Sequence, residues 1–239
     1  METQNKPAYR RILLKLSGEA LSSGAEGILN HDFINEIASV LKKCLKEKVE
    51  IAIIVGAGNI WRGRQGKDMD PARADHMGML ATAINALALQ DAFCRAGIEA
   101  RAMTAVSMEA FAEPYTRERA LHHLSRGKVV IFGCGLGLPF FSTDTAAALR
   151  AAEIDADVLL MAKNIDGVYT ADPRTDASAA KLDSISYREM IWKGLAALDM
   201  TAASFCMEKH IPTLVFGLSD PENIYRAVMG EKIGTLLTD

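Results

Sequence analysis

The sequence predicts an α/β protein, a three-layer α/β/α sandwich in which a mainly parallel central sheet lies between helices. Short runs rich in β-branched residues alternate along the chain with longer segments whose apolar residues recur at helical spacing. Two of the runs, residues 51–55 and 129–132, are apolar throughout, as central strands covered on both faces are. Alternation of buried strands and helices favours parallel pairing with right-handed crossovers.

Seven strands are predicted, at residues 11–16, 50–55, 100–103, 128–132, 158–162, 212–216 and 234–237. The segment between the first two strands predicts a helix, with Asn30 or Asp32 as its N-cap. Its apolar residues recur at helical spacing: Ile34, Ile37, Leu41, Cys44 and Leu45.

A second helix, predicted over residues 75–96, is apolar around most of its circumference. A helix of this kind must be covered on more than one side. The sheet can cover one face, and a partner subunit can cover the other, which favours self-association. Full burial within one subunit remains the alternative.

Composition and charge narrow the class of protein. Hydrophobic residues make up 49% and charged residues 24% of the 239 residues, which predicts one globular domain over residues 1–239, with residues 1–8 as a flexible N-terminal extension. A net charge of −3 gives no indication of a nucleic-acid partner. The four cysteines are widely spaced and form no C-x-x-C pair, so we expect reduced thiols rather than disulfides or a zinc site.

The sequence also bears on location. The N-terminus lacks the apolar core of a signal peptide. No apolar run approaches the roughly 20 residues that span a bilayer. We therefore expect a cytoplasmic protein without a membrane partner.

Ligands in open α/β sheets bind beyond the carboxyl ends of the strands. Lys15 lies near the end of the first predicted strand, among apolar residues, and is followed by Ser17 and Gly18. An unpaired buried ammonium is costly, so a buried Lys15 needs an anionic partner. A lysine that reaches solvent from an edge strand is the alternative.

The second predicted strand is followed by a glycine-rich turn, Gly56 to Gly63. Backbone N–H groups freed by Gly56 and Gly58 can surround an anion, and the guanidinium of Arg62 suits phosphate oxygens. The turn nearly matches the dinucleotide-binding fingerprint, but Trp61 stands where the third glycine belongs. An ordinary tight turn with a solvated arginine is the alternative.

A third loop, residues 133–144, contains three glycines in five residues. Ser142 or Thr143 can cap the next helix, whose N-terminus attracts anions. Asp144 falls in the first turn of that helix, where a favourable interaction with the helix dipole would also explain it. No G-x-x-x-x-G-K-[ST] motif is present, which excludes a P-loop site. The residues alone thus predict an α/β enzyme that binds a nucleotide or a phosphate.

Several motifs together carry a resemblance that covers the chain from about Tyr9 to Asp239. They are KLSGEAL from Lys15, GAGNIWRG from Gly56, DHMGMLAT from Asp75, LPFFSTDTAA from Leu138, DGVYTADP from Asp166 and VMGEKIGTL from Val228. In this set and order the chain resembles the bacterial-type UMP kinases, which belong to the amino acid kinase superfamily and have no P-loop.

The resemblance implies an ATP-dependent phosphoryl transfer to UMP and assigns roles to individual residues. The implied catalytic residues are Lys15, Arg62, Asp144 and Asp199. The implied ATP-binding residues are Lys15, Leu16, Ser17, Gly18, Gly58, Arg62, Asn164, Tyr169 and Asp172, with Lys163 as an alternative to Asn164. The implied UMP-binding residues are Ala57, Asp75, Leu136, Gly137, Leu138, Pro139, Phe140, Phe141, Ser142 and Thr143.

The resemblance also implies Mg²⁺ bound with ATP rather than at a metal site of the protein's own. It implies a homohexamer that GTP activates and UTP inhibits. Three positions depart from the family pattern: Ala57 replaces a glycine, and Leu136 and Leu138 replace a threonine and an asparagine. Two rival readings stay open, an acyl-phosphate-forming kinase of the same superfamily and a non-catalytic oligomer that senses or stores nucleotides. A NAD-binding protein is less favoured because of Trp61.

Overall fold

A computed structural model of the chain describes residues 6–24, 26–61, 66, 68–195 and 197–239. Its strands are β1 (Arg11–Leu16), β2 (Glu50–Val55), β3 (Ala100–Thr104), β4 (Glu113–Pro114), β5 (Val129–Gly133), β6 (Val158–Lys163), β7 (Val168–Tyr169), β8 (Lys181–Leu182), β9 (Ser184–Ser186), β10 (Thr213–Gly217) and β11 (Thr235–Thr238). Its helices are α1 (Gly18–Leu21), α2 (His31–Lys46), α3 (Pro71–Arg95), α4 (Arg117–Leu124), α5 (Thr143–Glu153), α6 (Tyr187–Trp192), α7 (Met200–Glu208) and α8 (Glu222–Val228).

Within these residues the main sheet has the strand order β4-β3-β5-β2-β1-β6-β10-β11-β9. The β10–β11 pair is antiparallel and the other pairs are parallel, so the predicted mainly parallel sheet is confirmed. All seven predicted strands are present, with ends that differ by at most one residue. The strands that sequence reasoning missed, β4, β7, β8 and β9, have only two or three residues, too few to show alternation.

Helices cover both faces of the sheet, which confirms the three-layer sandwich. One core layer joins α2, α3 and α8 to strand residues such as Leu14 and Ile53. The other joins α4, α5, α6 and α7 to residues such as Leu13 and Ile54. Because side chains alternate along a strand, Lys15 shares the face of Leu13 and therefore points towards the α5 layer.

Side chains cap the two long helices. Asn30, one of the two predicted caps, accepts a hydrogen bond from the backbone N–H of Phe33 at 3.0 Å. Helix α3 begins at Pro71, four residues before the predicted start. The reason is that Asp70 caps it through the N–H of Arg73, at 3.0 Å, and that proline is favoured in the first turn.

The length of α3 corrects the expectation that no apolar run approaches the roughly 20 residues that span a bilayer. With 25 residues, α3 is, within the described part of the chain, the one helix long and apolar enough to cross a membrane. A core helix of an α/β layer passes the same test, and one face of α3 is buried against β3 and β5 through residues such as Ala86, Leu89 and Phe93. Its other face is open, with Leu80 54% and Ile84 48% exposed.

The predicted single domain over residues 1–239 and the flexible extension over residues 1–8 stay predictions, because residues 1–5 lie outside the described ranges. At the end of that extension, the backbone N–H of Ala8 donates to the carbonyl of Val228 at 3.0 Å. All four cysteines are free thiols. Burial raises the pKa of Cys206 to about 11, so this thiol stays protonated at neutral pH.

Candidate active site

Lys15 is a mostly buried cation with an anionic partner. Its Nζ lies 3.0 Å from Oδ1 of Asp144, and the two side chains are only 12% and 15% exposed. Strand β1 lies between β2 and β6 in the middle of the sheet, so Lys15 cannot reach solvent from a sheet edge. The anionic partner that a buried Lys15 needs is therefore Asp144.

Asp144 is held in place by the start of α5. Ser142 caps this helix, and its Oγ accepts from the backbone N–H groups of Asp144 at 3.0 Å and Thr145 at 3.1 Å. Of the two predicted caps, Ser142 is confirmed, and Thr143 is the first helical residue. The N-terminus of α5 thus points its positive end towards the carboxyl ends of β1 and β5.

A second lysine contacts the same carboxylate. Lys163 ends β6, the strand next to β1, and its Nζ lies 3.4 Å from Oδ2 of Asp144. It also donates to the carbonyl of Ala197. Asp144 therefore lies between two ammonium groups, one on each carboxylate oxygen.

The electrostatics of this group follow from its burial. Burial by itself raises the pKa of Asp144, but the ammonium groups of Lys15 and Lys163 outweigh it and lower that pKa below its usual value. Burial lowers the pKa of Lys163, and the carboxylate of Asp144 offsets only part of this effect. Asp144 is thus a carboxylate at neutral pH.

Asp199 connects the starts of two helices. It caps α7 by accepting from the backbone N–H of Ala202 at 2.9 Å. It also accepts from the hydroxyl of Thr145 at 3.1 Å and from the hydroxyl of Ser142. Asp199 therefore fixes the position of the α5 N-terminus relative to α7.

The turns after β1 and β2 lie directly against each other. A Cβ on Gly18 would lie 2.6 Å from both the carbonyl oxygen of Gly56 and the backbone nitrogen of Gly58. Only glycine allows this approach. The buried amide of Asn85 in α3 supports the second turn by donating to the carbonyl of Gly56 at 2.8 Å, and it pairs with Asn59.

Trp61 has a structural role that the dinucleotide fingerprint does not include. Its indole N–H donates to the carbonyl of Ala74 at 2.9 Å, so the side chain packs against the start of α3. That helix begins only at Pro71, whereas the fingerprint requires a helix directly after the glycine turn. The NAD-binding alternative is therefore wrong for this turn. Arg62, which follows Trp61, lies outside the described residues.

The larger cleft has a volume of about 820 Å³ and opens beyond β1 and β6. Five of the residues assigned to ATP line it: Lys15, Ser17, Asn164, Tyr169 and Asp172. Lys163 lines it too, with its ammonium at the floor. The side chain of Leu16 is buried in the core on the opposite face, so only its backbone can face a ligand.

The smaller cleft, about 310 Å³, lies between the turns after β2 and β5 and the first turns of α3 and α5. Seven of the residues assigned to UMP line it: Ala57, Asp75, Leu136, Leu138, Phe141, Ser142 and Thr143. Gly58, assigned to ATP, also lines this cleft rather than the larger one. The remaining residues assigned to UMP, Gly137, Pro139 and Phe140, do not line it.

The loop beside the smaller cleft is held by Asp75. Its Oδ2 accepts from the backbone N–H of Phe140 at 2.7 Å, while the ring of Phe140 is 74% exposed. Gly137 has a φ of +74°, and a Cβ there would lie 3.2 Å from the carbonyl oxygen of Ala105, which explains the glycine. Ala57 is not among the described non-glycine residues with positive φ, so the alanine adds no backbone strain.

Sequence reasoning missed the position of Lys163. The resemblance implies Lys163 only as an alternative to Asn164 at the adenine, whereas its ammonium lies at Asp144. The signal was available, because Lys163 follows five apolar residues of a buried strand, as Lys15 follows three. Trp61, Met79, Thr82 and Cys134 also line the smaller cleft and were not assigned to it.

The amino acid kinase family matches residues 10–217, most of the chain. The chain belongs to the amino acid kinase family. The predicted membership of that superfamily is thereby confirmed, and with it the predicted fold.

This family member is also similar to solved structures of UMP kinases. It is 36% identical to the UMP kinase of Bacillus anthracis, with a TM-score of 0.93, over 97% of this chain and 96% of the other. It is 34% identical to the UMP kinase of Ureaplasma parvum, with a TM-score of 0.91, over 96% of this chain and 99% of the other. It is 30% identical to the uridylate kinase of Archaeoglobus fulgidus, with a TM-score of 0.75, over 95% of this chain and 99% of the other. The resemblance to UMP kinases read from the motifs is confirmed.

Proposed function

We propose that this amino acid kinase family member is a UMP kinase, which transfers the γ-phosphoryl group of Mg-ATP to UMP and forms UDP and ADP in pyrimidine nucleotide biosynthesis. The observation that carries the proposal is the pair of adjoining clefts. The larger cleft contains Lys15 and Lys163, and the smaller one ends at Ser142 and Thr143, directly before Asp144. The similarity to three UMP kinases over nearly the whole chain supports this choice of substrates.

The reaction needs no general base from the protein. A phosphomonoester has a second pKa of about 6, so the phosphate of UMP is mostly a dianion at neutral pH. The attacking oxygen is therefore already ionised, and the barrier lies in bringing two polyanions together. A site for this reaction must supply positive charge and fix an in-line geometry.

The described residues can supply this positive charge. The ammonium of Lys15 would contact the donor phosphates from the floor of the larger cleft. Backbone N–H groups of the turn at Gly58 and the N-terminus of α5 would stabilise charge where the two clefts meet. We assign Arg62 to the same phosphates on the basis of the family resemblance.

Two carboxylates act through other groups. Asp144 holds Lys15 in place through the 3.0 Å contact, and Asp199 holds Ser142 and Thr145. Both are positioning residues in this proposal, because neither carboxylate needs to accept a proton. Asp75 would hold the ribose of UMP with the carboxylate that contacts Phe140 here.

The residues present fit Mg²⁺ that arrives with ATP. Across the described ranges, no group of three or more His, Cys, Asp or Glu side chains is arranged to hold a metal ion. Mg²⁺ commonly uses one or two carboxylates together with substrate phosphates and water. Asp144 is the carboxylate that could orient it, and the ion would offset charge on the donor phosphates.

The experiment is a product analysis. The protein is incubated with Mg-ATP and, separately, with UMP, CMP, N-acetylglutamate or carbamate, and the products are separated by ion-exchange chromatography. We expect UDP and ADP in equal amounts from UMP. An acyl phosphate formed instead would favour the acyl-phosphate-forming kinases. Binding of ATP and UMP without ADP release would favour a nucleotide-sensing or storage oligomer, the reading that Leu136 and Leu138 support.

We extend the proposal to the assembly and its regulation. The open apolar face of α3, with Leu80 and Ile84, supports self-association. A homohexamer, activation by GTP, inhibition by UTP and a cytoplasmic location follow from the family resemblance. Light scattering measures the subunit number, and assays with added GTP or UTP measure regulation. A monomer in solution would contradict the assembly.

A further inference from the structure

We propose that Lys163 is a second catalytic cation, whose ammonium contacts the phosphate groups of the nucleoside triphosphate donor and adds a second positive charge beside Lys15. This inference rests on the proposed function. It assigns Lys163 to the phosphates rather than to the adenine. Lys163 is placed for this contact because it lines the larger cleft and its side chain is 21% exposed.

The charge balance of the buried group carries the argument. Lys15 and Asp144 together have no net charge, so their ion pair alone cannot attract a polyphosphate. A protonated Lys163 gives the group of three side chains a net charge of +1, since Asp144 stays ionised between two ammonium groups. A net positive group in a partly buried cleft stabilises phosphate charge far better than a neutral pair does.

The other cations that line the larger cleft among the described residues are already paired at its rim. Arg174 contacts Asp172 at 3.3 Å and is 86% exposed, and Lys193 contacts Glu189 at 2.6 Å and is 41% exposed. Exposed pairs of this kind are screened by solvent and contribute little. Lys163 lies deeper than either of them.

The strand register places the two lysines for two neighbouring phosphate groups. In the parallel pair β1–β6, Lys15 is opposite Met161, so Lys163 lies two residues further towards the cleft on the same face. Two residues of a strand span about 6.6 Å and neighbouring strands lie about 4.8 Å apart. Asp144 bridges this offset and keeps the two like charges from separating. A lysine ammonium is a compact charge on a flexible stem, so it can turn from the carboxylate to a phosphate oxygen.

A rival role is that Lys163 only offsets the charge of Asp144. The two roles predict different results when Asp144 is made neutral. If Lys163 acts on the donor phosphates, Lys163→Met lowers kcat in the wild type and again in an Asp144→Asn background. If it only offsets Asp144, the second Lys163→Met has no effect, because no carboxylate charge remains to be offset.

The test is steady-state kinetics of UDP formation by the full chain. We expect Lys163→Met to lower kcat by about 10²-fold, and by at least about 10-fold in the Asp144→Asn background. The KM for UMP should stay within about threefold, because Lys163 does not line the smaller cleft. Lys163→Arg, which keeps the charge, should retain activity within about 10-fold. Lys43→Met, which removes a lysine of α2 from an exposed ion pair with Glu222 of α8, is the matched control.

Folding is checked by circular dichroism and thermal unfolding. If Lys163→Met does not fold, Lys163→Gln replaces it, since its amide can still donate to the carbonyl of Ala197 without a charge. A folded Met or Gln variant with kcat within about threefold of the wild type overturns the proposal. So does the absence of any further loss in the Asp144→Asn background.

The failure of the proposed function can be recognised separately. If the wild type forms no UDP, the function is wrong, and Lys163 is then tested by calorimetry with Mg-ATP alone. The proposal requires Lys163→Met to weaken Mg-ATP binding at least about 10-fold. Equal binding by the variant and the wild type overturns it.

Discussion

The two clefts lie at the carboxyl ends of the strands of one sheet but are lined by different types of residue. The larger cleft, beyond β1 and β6, is lined by the charged side chains of Lys15 and Lys163, which both contact Asp144. The smaller cleft, beyond β2 and β5, is lined by glycine turns and by apolar side chains such as Leu136, Leu138 and Phe141. The difference suggests that one side binds by charge and the other by shape and backbone contacts.

The cause is visible at the strand ends. β6 ends in a lysine and β1 carries one just before its end, whereas β5 ends at Gly133 and β2 leads directly into Gly56. A lysine at the end of a buried strand brings charge to the carboxyl end of the sheet. A glycine there brings backbone close to the neighbouring helices instead.

The largest expected effect comes from a substitution in the larger, charged cleft alone. Lys15→Met should lower kcat roughly 10³-fold, because the ammonium nearest to Asp144 is lost. The KM for UMP should change little, because Lys15 does not line the smaller cleft. Steady-state kinetics on protein whose circular dichroism matches the wild type measure this effect. A folded Lys15→Met variant with near-native turnover would falsify the mechanism.

The next largest effect is expected at the contact between the turns after β1 and β2. Gly18→Ala places a Cβ 2.6 Å from two backbone atoms of the neighbouring turn, so the turns must separate. We expect the free energy of unfolding to fall by about 1–3 kcal/mol, measured by urea denaturation, together with a loss of kcat. Gly27→Ala is the matched control, because a Cβ there meets nothing within 4 Å. Equal stabilities of the two variants would show that the turns can move apart freely.

A smaller effect is expected from substitutions in the smaller, apolar cleft, where they should change the preference between nucleotides. Leu136→Thr combined with Leu138→Asn adds hydrogen-bonding groups to the smaller cleft. We expect the ratio of kcat/KM for UMP to that for CMP to rise roughly fivefold, about the value of one neutral hydrogen bond. The KM for ATP should stay the same. An unchanged ratio would mean that these two positions do not face the base.

The smallest effect concerns the carboxylate that joins α5 to α7. Asp199→Asn keeps a good N-cap but removes the charge, whereas Asp199→Ala removes both. We expect Asp199→Ala to unfold with a free energy lower by about 1 kcal/mol than Asp199→Asn. Thermal or urea unfolding of both variants measures the difference. If the two are equally stable, Asp199 does not act as a cap.

Much of the site could be predicted from local patterns. Lys15 was identified because a lysine within an apolar strand is costly without a partner, and Ser142 because a serine before a helical pattern is a favoured cap. Gly58, which the resemblance assigns to ATP, lines the smaller cleft, and its contact with ATP stays a prediction because the sequence does not show which of two clefts a turn will face. Lys163 follows five apolar residues of a buried strand, but the sequence does not show that this strand lies next to β1 and brings the ammonium to Asp144.

The sequence by itself determined the seven longer strands and the family, and it narrowed the caps of α2 and α5 to two candidates each. These depend on periodicity and on short motifs, which are local properties of the chain. Only the tertiary structure decided that Lys15, Lys163 and Asp144 form one charged group and that Asp199 links two helix starts. These contacts join strands and helices far apart in sequence, and their geometry depends on sheet order and register, which no local pattern encodes.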